Sequence, residues 1–119
     1  MRDFKDLLVW RKANRFALDV YEHSRGFPAE ERFGLTSQLR RAAVSTASNI
    51  AEGCGRESER ELARYLSMAA GSVSEAEYQL LLAHDLGFLR DEAHQQLDPQ
   101  ANEIKRMLNS FIQKLTANS

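Results

Sequence analysis

The chain has 119 residues, close to one ordinary domain, and 43 % of them are hydrophobic, so it can bury a core and does not resemble a disordered chain. Its formal net charge of −1 lacks the strongly basic balance of a dedicated nucleic-acid-binding protein. It has one cysteine, Cys54, no signal peptide and no long apolar run, which predicts a cytoplasmic protein without an intrachain disulfide or a membrane segment.

The first helix is predicted over about 7–25, with Asp6 as its N-cap. It carries two mostly apolar seams: Leu7, Trp10, Asn14, Ala17 and Tyr21 form one, and Val9, Ala13, Phe16 and Val20 form the other. Together they cover more of the helix than the roughly one third that a bundle requires. The extra width indicates either a deeply packed helix or a subunit interface, and for the interface we name the second seam.

The second helix is predicted over about 36–52, after the chain is interrupted at residues 26–28 and Gly34. Its seam is surrounded by small side chains, which predicts a central, closely packed helix, with Asn49 as a half-buried amide that needs partners. The seam consists of Leu39, Ala43, Thr46 and Ile50. We expect the helix to end before Gly53 and Gly55, which are suited to the left-handed conformation of a helix stop.

Helices 3 and 4 are predicted over about 59–86 and 91–116. Ser58 and Glu61 form a capping box at the start of helix 3, and Gly87 with the apolar residue after it predicts its end. In helix 4 we expect either a fresh start or a kink near 98–99, because proline lacks a backbone donor and clashes with the preceding turn.

All four apolar seams recur with a period near 3.5 residues, and the connections between them are short. This pattern predicts an all-α protein, a single domain over residues 1–119. We expect an antiparallel up-down-up-down four-helix bundle with left-handed packing at roughly twenty degrees.

No residue pattern predicts catalysis or metal binding. His23, His84 and His94 fall on different helices without zinc spacing, and no Glu-x-x-His pair is present. The sequence also offers Ser45, Ser48 and Cys54 no general base. We therefore expect no enzyme activity, cofactor, metal or small-molecule substrate.

The other candidate functional residues are mainly arginines. We expect structural polar roles for Arg40, Arg41, Asn49, Glu52 and Glu75, with at least one of the two arginines reaching an acidic partner such as Glu75 or Glu52. A candidate phosphate-binding surface consists of Arg11, Lys12, Arg15, Arg56, Arg60 and Arg64. The alternative is a solvated face, neutralised by Glu57, Glu59 and Glu61. We see no aromatic residue between these arginines that could stack a base.

Four segments of the sequence resemble motifs of one family. Phe4–Trp10 is similar to FxDLxVW, Phe27–Ala42 to FPxxExxGLxxQxRRA, Ser48–Gly53 contains NIAEG, and Gly71–Glu75 matches GSxxE. These motifs, in order along nearly the whole chain, resemble the bacterial four-helix bundle proteins named from intervening sequences of 23S ribosomal RNA genes.

The resemblance implies an antiparallel four-helix bundle that assembles as a ring-like homopentamer, without enzyme activity. It also implies kinship with the accessory variability protein of diversity-generating retroelements, a basic pentamer that binds nucleic acid and a reverse transcriptase. This chain departs from that relative in its net charge of −1.

We therefore predict a non-enzymatic oligomeric binding or scaffold protein whose partner is RNA, DNA or a nucleic-acid enzyme. The alternative is a purely protein-binding oligomeric platform with no affinity for nucleic acid.

Overall fold

A computed structural model of the chain describes residues 2–117, so the other residues of the predicted domain 1–119 lie outside the described part. It contains four α-helices: α1 (Leu8–Ser24), α2 (Leu35–Cys54), α3 (Glu59–Asp85) and α4 (Asp91–Thr116). Short 3₁₀ turns, Phe4–Asp6 and Ala29–Glu31, precede α1 and α2, and the described residues include no strand.

The start of α1 differs from the prediction. Asp6 is the last residue of the first 3₁₀ turn, and Asp3 is the capping residue, because its carboxylate accepts the Lys5 backbone N–H at 3.0 Å. Leu7 then takes an extended conformation and α1 begins at Leu8 with no side-chain cap. The assignment of Asp6 as the N-cap of α1 was therefore wrong.

The end of α2 also differs from the prediction. Gly53 lies inside the helix and Gly55 has a right-handed φ of −82°, so neither glycine serves as a left-handed helix stop. Gly53 is needed for close packing instead. A Cβ atom there would lie 2.8 Å from Cβ of Tyr65 and 3.0 Å from Cδ1 of Leu62, so α3 approaches α2 where only glycine leaves room.

The start of α3 uses half of the predicted capping box. Ser58 Oγ accepts the Glu61 backbone N–H at 3.1 Å, as expected of an N-cap. The Glu61 carboxylate does not return to Ser58. It accepts two hydrogen bonds from Arg64, at 3.1 and 3.2 Å, because arginine one turn later matches both carboxylate oxygens.

The end of α3 agrees with the glycine signal. Gly87 has a φ of +82°, and its N–H donates to the His84 carbonyl at 3.0 Å. The N–H of Phe88 donates to the Ala83 carbonyl at 2.9 Å. These two bonds form a Schellman motif, which satisfies carbonyls that the helix end leaves free. Helix α4 then runs without a break through Pro99, so no new helix begins there.

The helices pack around one core. Helix α1 packs directly against α2 and α4, and α3 packs against the same two helices, whereas no Cα atom of α1 lies within 8 Å of one of α3 in residues 2–117. Helices α1 and α3 therefore lie diagonally opposite each other across the core. The α2 seam is buried, and the largest fully buried side chains include Phe16, Leu39, Ile50, Leu66, Leu80, Leu97, Ile104 and Leu108.

The second seam of α1 belongs to this core. Its four residues, Val9, Ala13, Phe16 and Val20, are 4, 0, 0 and 1 % exposed. Side chains that are buried within one chain leave no surface for a second subunit. The assignment of these residues to an oligomer interface is therefore corrected: they make the contacts of a deeply packed helix.

Candidate functional site

The six cations predicted as one phosphate-binding surface lie on two separate surfaces. Arg11, Lys12 and Arg15 lie on α1, whereas Arg56 precedes α3 and Arg60 and Arg64 lie on its first turns. Because α1 and α3 lie diagonally across the core, their exposed faces point away from each other. A single surface formed by all six residues is therefore ruled out.

The first surface, at the turn between α2 and α3, is organised by Tyr65. The guanidinium groups of Arg56 and Arg64 lie 5.0 and 4.7 Å from its ring centroid, and Arg56 Nη2 donates to the hydroxyl at 2.8 Å. The structure thus places an aromatic ring between two of these arginines, although no aromatic residue separates them in the sequence. Tyr65 is only 8 % exposed, so it orients the two arginines and has no free face on which a base could stack.

Carboxylates neutralise this α2–α3 surface. Arg56 pairs with Glu52 at 3.3 Å and Arg64 with Glu61 at 3.1 Å, in helical spacing. The hydrogen bond from Arg64 lowers the pKa of Glu61 below its usual value, because it stabilises the charged carboxylate. Glu57 and Glu59 add two further negative charges around Arg60. The α2–α3 surface therefore has little net positive charge.

The second surface lies on α1 and α4, and we call it the α1–α4 face. It combines five cations: Arg11, Lys12, Arg15, Arg106 and Lys114. Lys12 pairs with Glu103 of α4 at 3.1 Å, and Arg15 pairs with Asp19 at 3.6 Å. Within the described chain, the exposed residues Arg11, Arg106 and Lys114 make no ion pair, so cations exceed carboxylates on this face.

Arg106 and Lys114 were not among the cations predicted from the sequence. The sequence did contain a signal for a basic surface, because residues 7–18 and 104–117 include cations but no aspartate or glutamate. In the structure the two segments lie at the same end of adjacent helices. Only the contact between α1 and α4 shows that the cations of both helices share one face.

An apolar groove of about 370 Å³ opens on the α1–α4 face, between the start of α1 and the end of α4. Its lining consists of Leu7, Leu8, Val9, Met107, Ser110, Phe111 and Lys114. Leu8 is 53 % exposed at its edge. A second groove, of about 280 Å³, lies between α1 and α2 and is lined by Phe4, Trp10, Asn14, Ala17, Val44, Ala47, Ser48 and Ala51, none of them charged.

The predicted structural arginines differ in their surroundings. Arg40 is half-buried, and its Nε donates to Ser24 Oγ at 2.8 Å while Nη2 donates to the Tyr21 carbonyl at 3.3 Å. A cation at the end of α1 is favourable because the last carbonyls of a helix carry partial negative charge. The prediction that Arg40 or Arg41 reaches a carboxylate was wrong, since Arg41 is exposed and makes no ion pair with the described residues.

The other residues assigned structural polar roles lie on α2 and α3. The Asn49 amide is half-buried and donates to the carbonyl and hydroxyl oxygens of Ser45, at 2.9 and 3.1 Å. Ser45 Oγ in turn lies 3.0 Å from Ser72 Oγ of α3, which links the two helices. Glu52 pairs with Arg56, and Glu75 is exposed on α3.

Two of the three histidines meet at the turn between α3 and α4. The rings of His84 and His94 stack with centroids 4.7 Å apart, and His84 Nε2 donates to the Asp91 carboxylate at 2.6 Å. That hydrogen bond raises the pKa of His84 above its usual value. Residues 2–117 contain no group of three or more His, Cys, Asp or Glu side chains that could hold a metal ion. Burial raises the pKa of the Cys54 thiol, which disfavours the nucleophilic thiolate.

None of the helices along the described chain is both long enough and apolar enough to span a bilayer.

The fold and its surfaces define a small all-α protein of four helices whose polar chemistry lies on exposed helix faces. The chain belongs to the 23S rRNA-intervening sequence protein family, whose model matches residues 5–110. The family resemblance seen in the motifs is thereby confirmed.

Among solved structures, the chain is similar to the crystal structure of a protein with unknown function from the S23 ribosomal protein family of Bacteroides thetaiotaomicron VPI-5482. The two are 24 % identical with a TM-score of 0.79, and the match covers 88 % of this chain and 98 % of that one. At this identity the likeness supports the fold alone. No curated protein matches the sequence.

Proposed function

We propose that this chain is a non-enzymatic, homo-oligomeric binding protein of the cytoplasm, which binds the phosphate backbone of RNA or DNA through its α1–α4 face. The observation that carries the proposal is the group of exposed cations on this face, three of which have no carboxylate partner in the described residues. Cations that are not already neutralised can release the counterions of a nucleic acid on binding.

The proposal includes an antiparallel up-down-up-down order of the helices. Contacts between neighbouring helices support it. Arg56 meets Tyr65, while the earlier residue Ser45 meets the later residue Ser72, so numbering rises along α2 as it falls along α3. Lys105 of α4 reaches Glu77 of α3 far from the turn that joins these helices.

The proposal also includes a ring-like homopentamer, which the family resemblance implies. One subunit offers few phosphate contacts, so its own affinity would be low at physiological salt. Several copies in fixed geometry make later contacts intramolecular and raise the total affinity by orders of magnitude.

The test is a titration of labelled RNA and labelled duplex DNA at about 50 and 200 mM salt. We expect binding at the lower concentration that weakens steeply at the higher one. The variant Arg15→Glu plus Arg106→Glu should abolish binding, because it reverses two exposed cations of the α1–α4 face. Light scattering on each variant shows whether a loss of binding reflects a loss of assembly.

The matched control is Arg41→Glu plus Arg60→Glu. It makes the same change of net charge at two exposed residues outside the α1–α4 face. An equal loss of binding in both variants would mean that only net charge matters. Absence of binding at the lower salt concentration would end the nucleic-acid proposal.

The second candidate is an oligomeric platform that binds proteins and no nucleic acid. It is favoured by the groove between α1 and α2, because an uncharged apolar surface suits a protein partner and attracts no phosphate. A partner that is retained after nuclease treatment and lost in Val44→Glu would support this candidate. Val44 is 41 % exposed, so the substitution places a charge in the groove without burying it in the core.

A further inference from the structure

The groove on the α1–α4 face has an apolar floor and a basic rim. Leu8, Met107 and Phe111 line it together with Lys114. The guanidinium group of Arg2 lies 5.5 Å from the ring centroid of Phe111, and Arg11 follows Leu8 by one turn of α1. An occupant must therefore supply both apolar side chains and negative charge.

A phosphate backbone would use the rim and leave the apolar floor exposed to water. An uncharged apolar ligand would do the reverse and leave Arg11 and Lys114 without partners. The pattern that satisfies both is an exposed helix face that carries apolar residues between carboxylates.

The chain itself has such a face on the C-terminal half of α3. Tyr78 and Leu81 are 60 and 47 % exposed and lie one turn apart, so they form a small apolar patch on the surface of α3. Glu75 and Asp85 are exposed on either side of them, at helical spacing. No lysine or arginine occurs between Arg64 and Arg90. We call Glu75, Tyr78, Leu81 and Asp85 the acidic ridge.

The acidic ridge cannot reach the groove of its own chain, because α3 lies diagonally across the core from α1 and its exposed face points the other way. A second copy has no such restriction. We propose that the acidic ridge of one subunit docks in the α1–α4 groove of the next, with Tyr78 and Leu81 against the apolar floor and Glu75 and Asp85 beside Lys114 and Arg11.

This contact joins two different patches that lie on different faces of the subunit, so it is heterologous. Repetition of a heterologous contact produces a ring when its rotation closes. The inference rests on the proposed homo-oligomer and specifies which surfaces join its subunits. Cations further along the α1–α4 face, Lys12, Arg15 and Arg106, remain outside the groove and stay accessible for nucleic acid.

The test is charge reversal followed by light scattering at micromolar protein concentrations. The groove variant is Arg11→Glu plus Lys114→Glu, and the ridge variant is Glu75→Lys plus Asp85→Lys. Each should raise the concentration at which the oligomer dissociates by at least about tenfold, because both place like charges across the contact. The combined variant, with all four substitutions, should restore assembly because the charges are complementary again.

The apolar part of the contact has its own matched pair. Leu8→Ala should weaken assembly, whereas Leu18→Ala should not, since Leu18 is similarly exposed on α1 at 52 % but does not line the groove. Thermal unfolding of each variant checks that the subunit itself is intact. All six substituted residues are exposed, so the folded subunit tolerates them.

The outcomes separate this inference from the proposed function. A wild-type monomer overturns the homo-oligomer and the docking contact together. An oligomer that is unchanged by the groove and ridge variants, or not restored by the combined variant, overturns the docking contact alone. Nucleic-acid binding is read independently with Arg106, which lies outside the groove.

Discussion

Substitution of Gly53 by alanine tests the close packing of α3 against α2 at this position. The new Cβ would lie 2.8 Å from the Tyr65 Cβ and 3.0 Å from Leu62 Cδ1, and the Tyr65 atom next to the backbone cannot swing away. Helix α3 would have to move outward, together with the arginines that stack on Tyr65. Overpacking of this kind costs roughly 1–3 kcal/mol.

The same substitution carries a gain, because alanine is more favourable than glycine in a helix interior by about 1 kcal/mol. We therefore expect a net loss of up to about 2 kcal/mol in the free energy of unfolding for Gly53→Ala. The matched control is Gly71→Ala in the middle of α3, where a Cβ would meet nothing within 4 Å. Gly71→Ala should gain roughly 0.5–1 kcal/mol.

Both variants are compared with the wild type by urea denaturation at one fixed protein concentration, since assembly makes stability depend on concentration. The midpoints should move in opposite directions at an unchanged slope. If Gly53→Ala is as stable as Gly71→Ala, the packing argument at this position is refuted.

Three further predictions concern the core, the cap of α3 and the histidine pair. Ala43→Leu should lower the free energy of unfolding by roughly 1–3 kcal/mol, because Ala43 is 0 % exposed. Ala47→Leu should cost less, because Ala47 lines a groove that can take the larger side chain. Equal urea midpoints for the two variants would contradict this. Ser58→Ala should cost about 1 kcal/mol through loss of the N-cap bond, whereas Ser58→Asp should retain it. The raised pKa of His84 means that its stabilisation is complete below the pKa of the unfolded chain and is lost as the pH rises through the folded-state pKa. Thermal melts between about pH 5 and 8 should show this loss in the wild type and a smaller one in Asp91→Asn, and identical pH profiles would count against the His84–Asp91 bond.

Local signals in the sequence determined the helices and their faces. The α2 seam is buried because its spacing places Leu39, Ala43, Thr46 and Ile50 on one side of a helix, whatever the partner. The stop at Gly87 was readable for the same reason, since a Schellman motif involves only residues close in the chain. The motifs from Phe4 to Glu75 likewise predicted the family.

Tertiary packing decided the rest. Helical periodicity shows which residues share a face of one helix, but not which helices are adjacent. The six cations predicted to form one surface therefore lie on two surfaces, because α1 and α3 are diagonally opposite. Contacts between elements likewise placed Tyr65 under two arginines, stacked His84 on His94 and joined Lys114 to the cations of α1. At Gly53 the deciding quantity was a distance between helices, which no pattern within one helix contains.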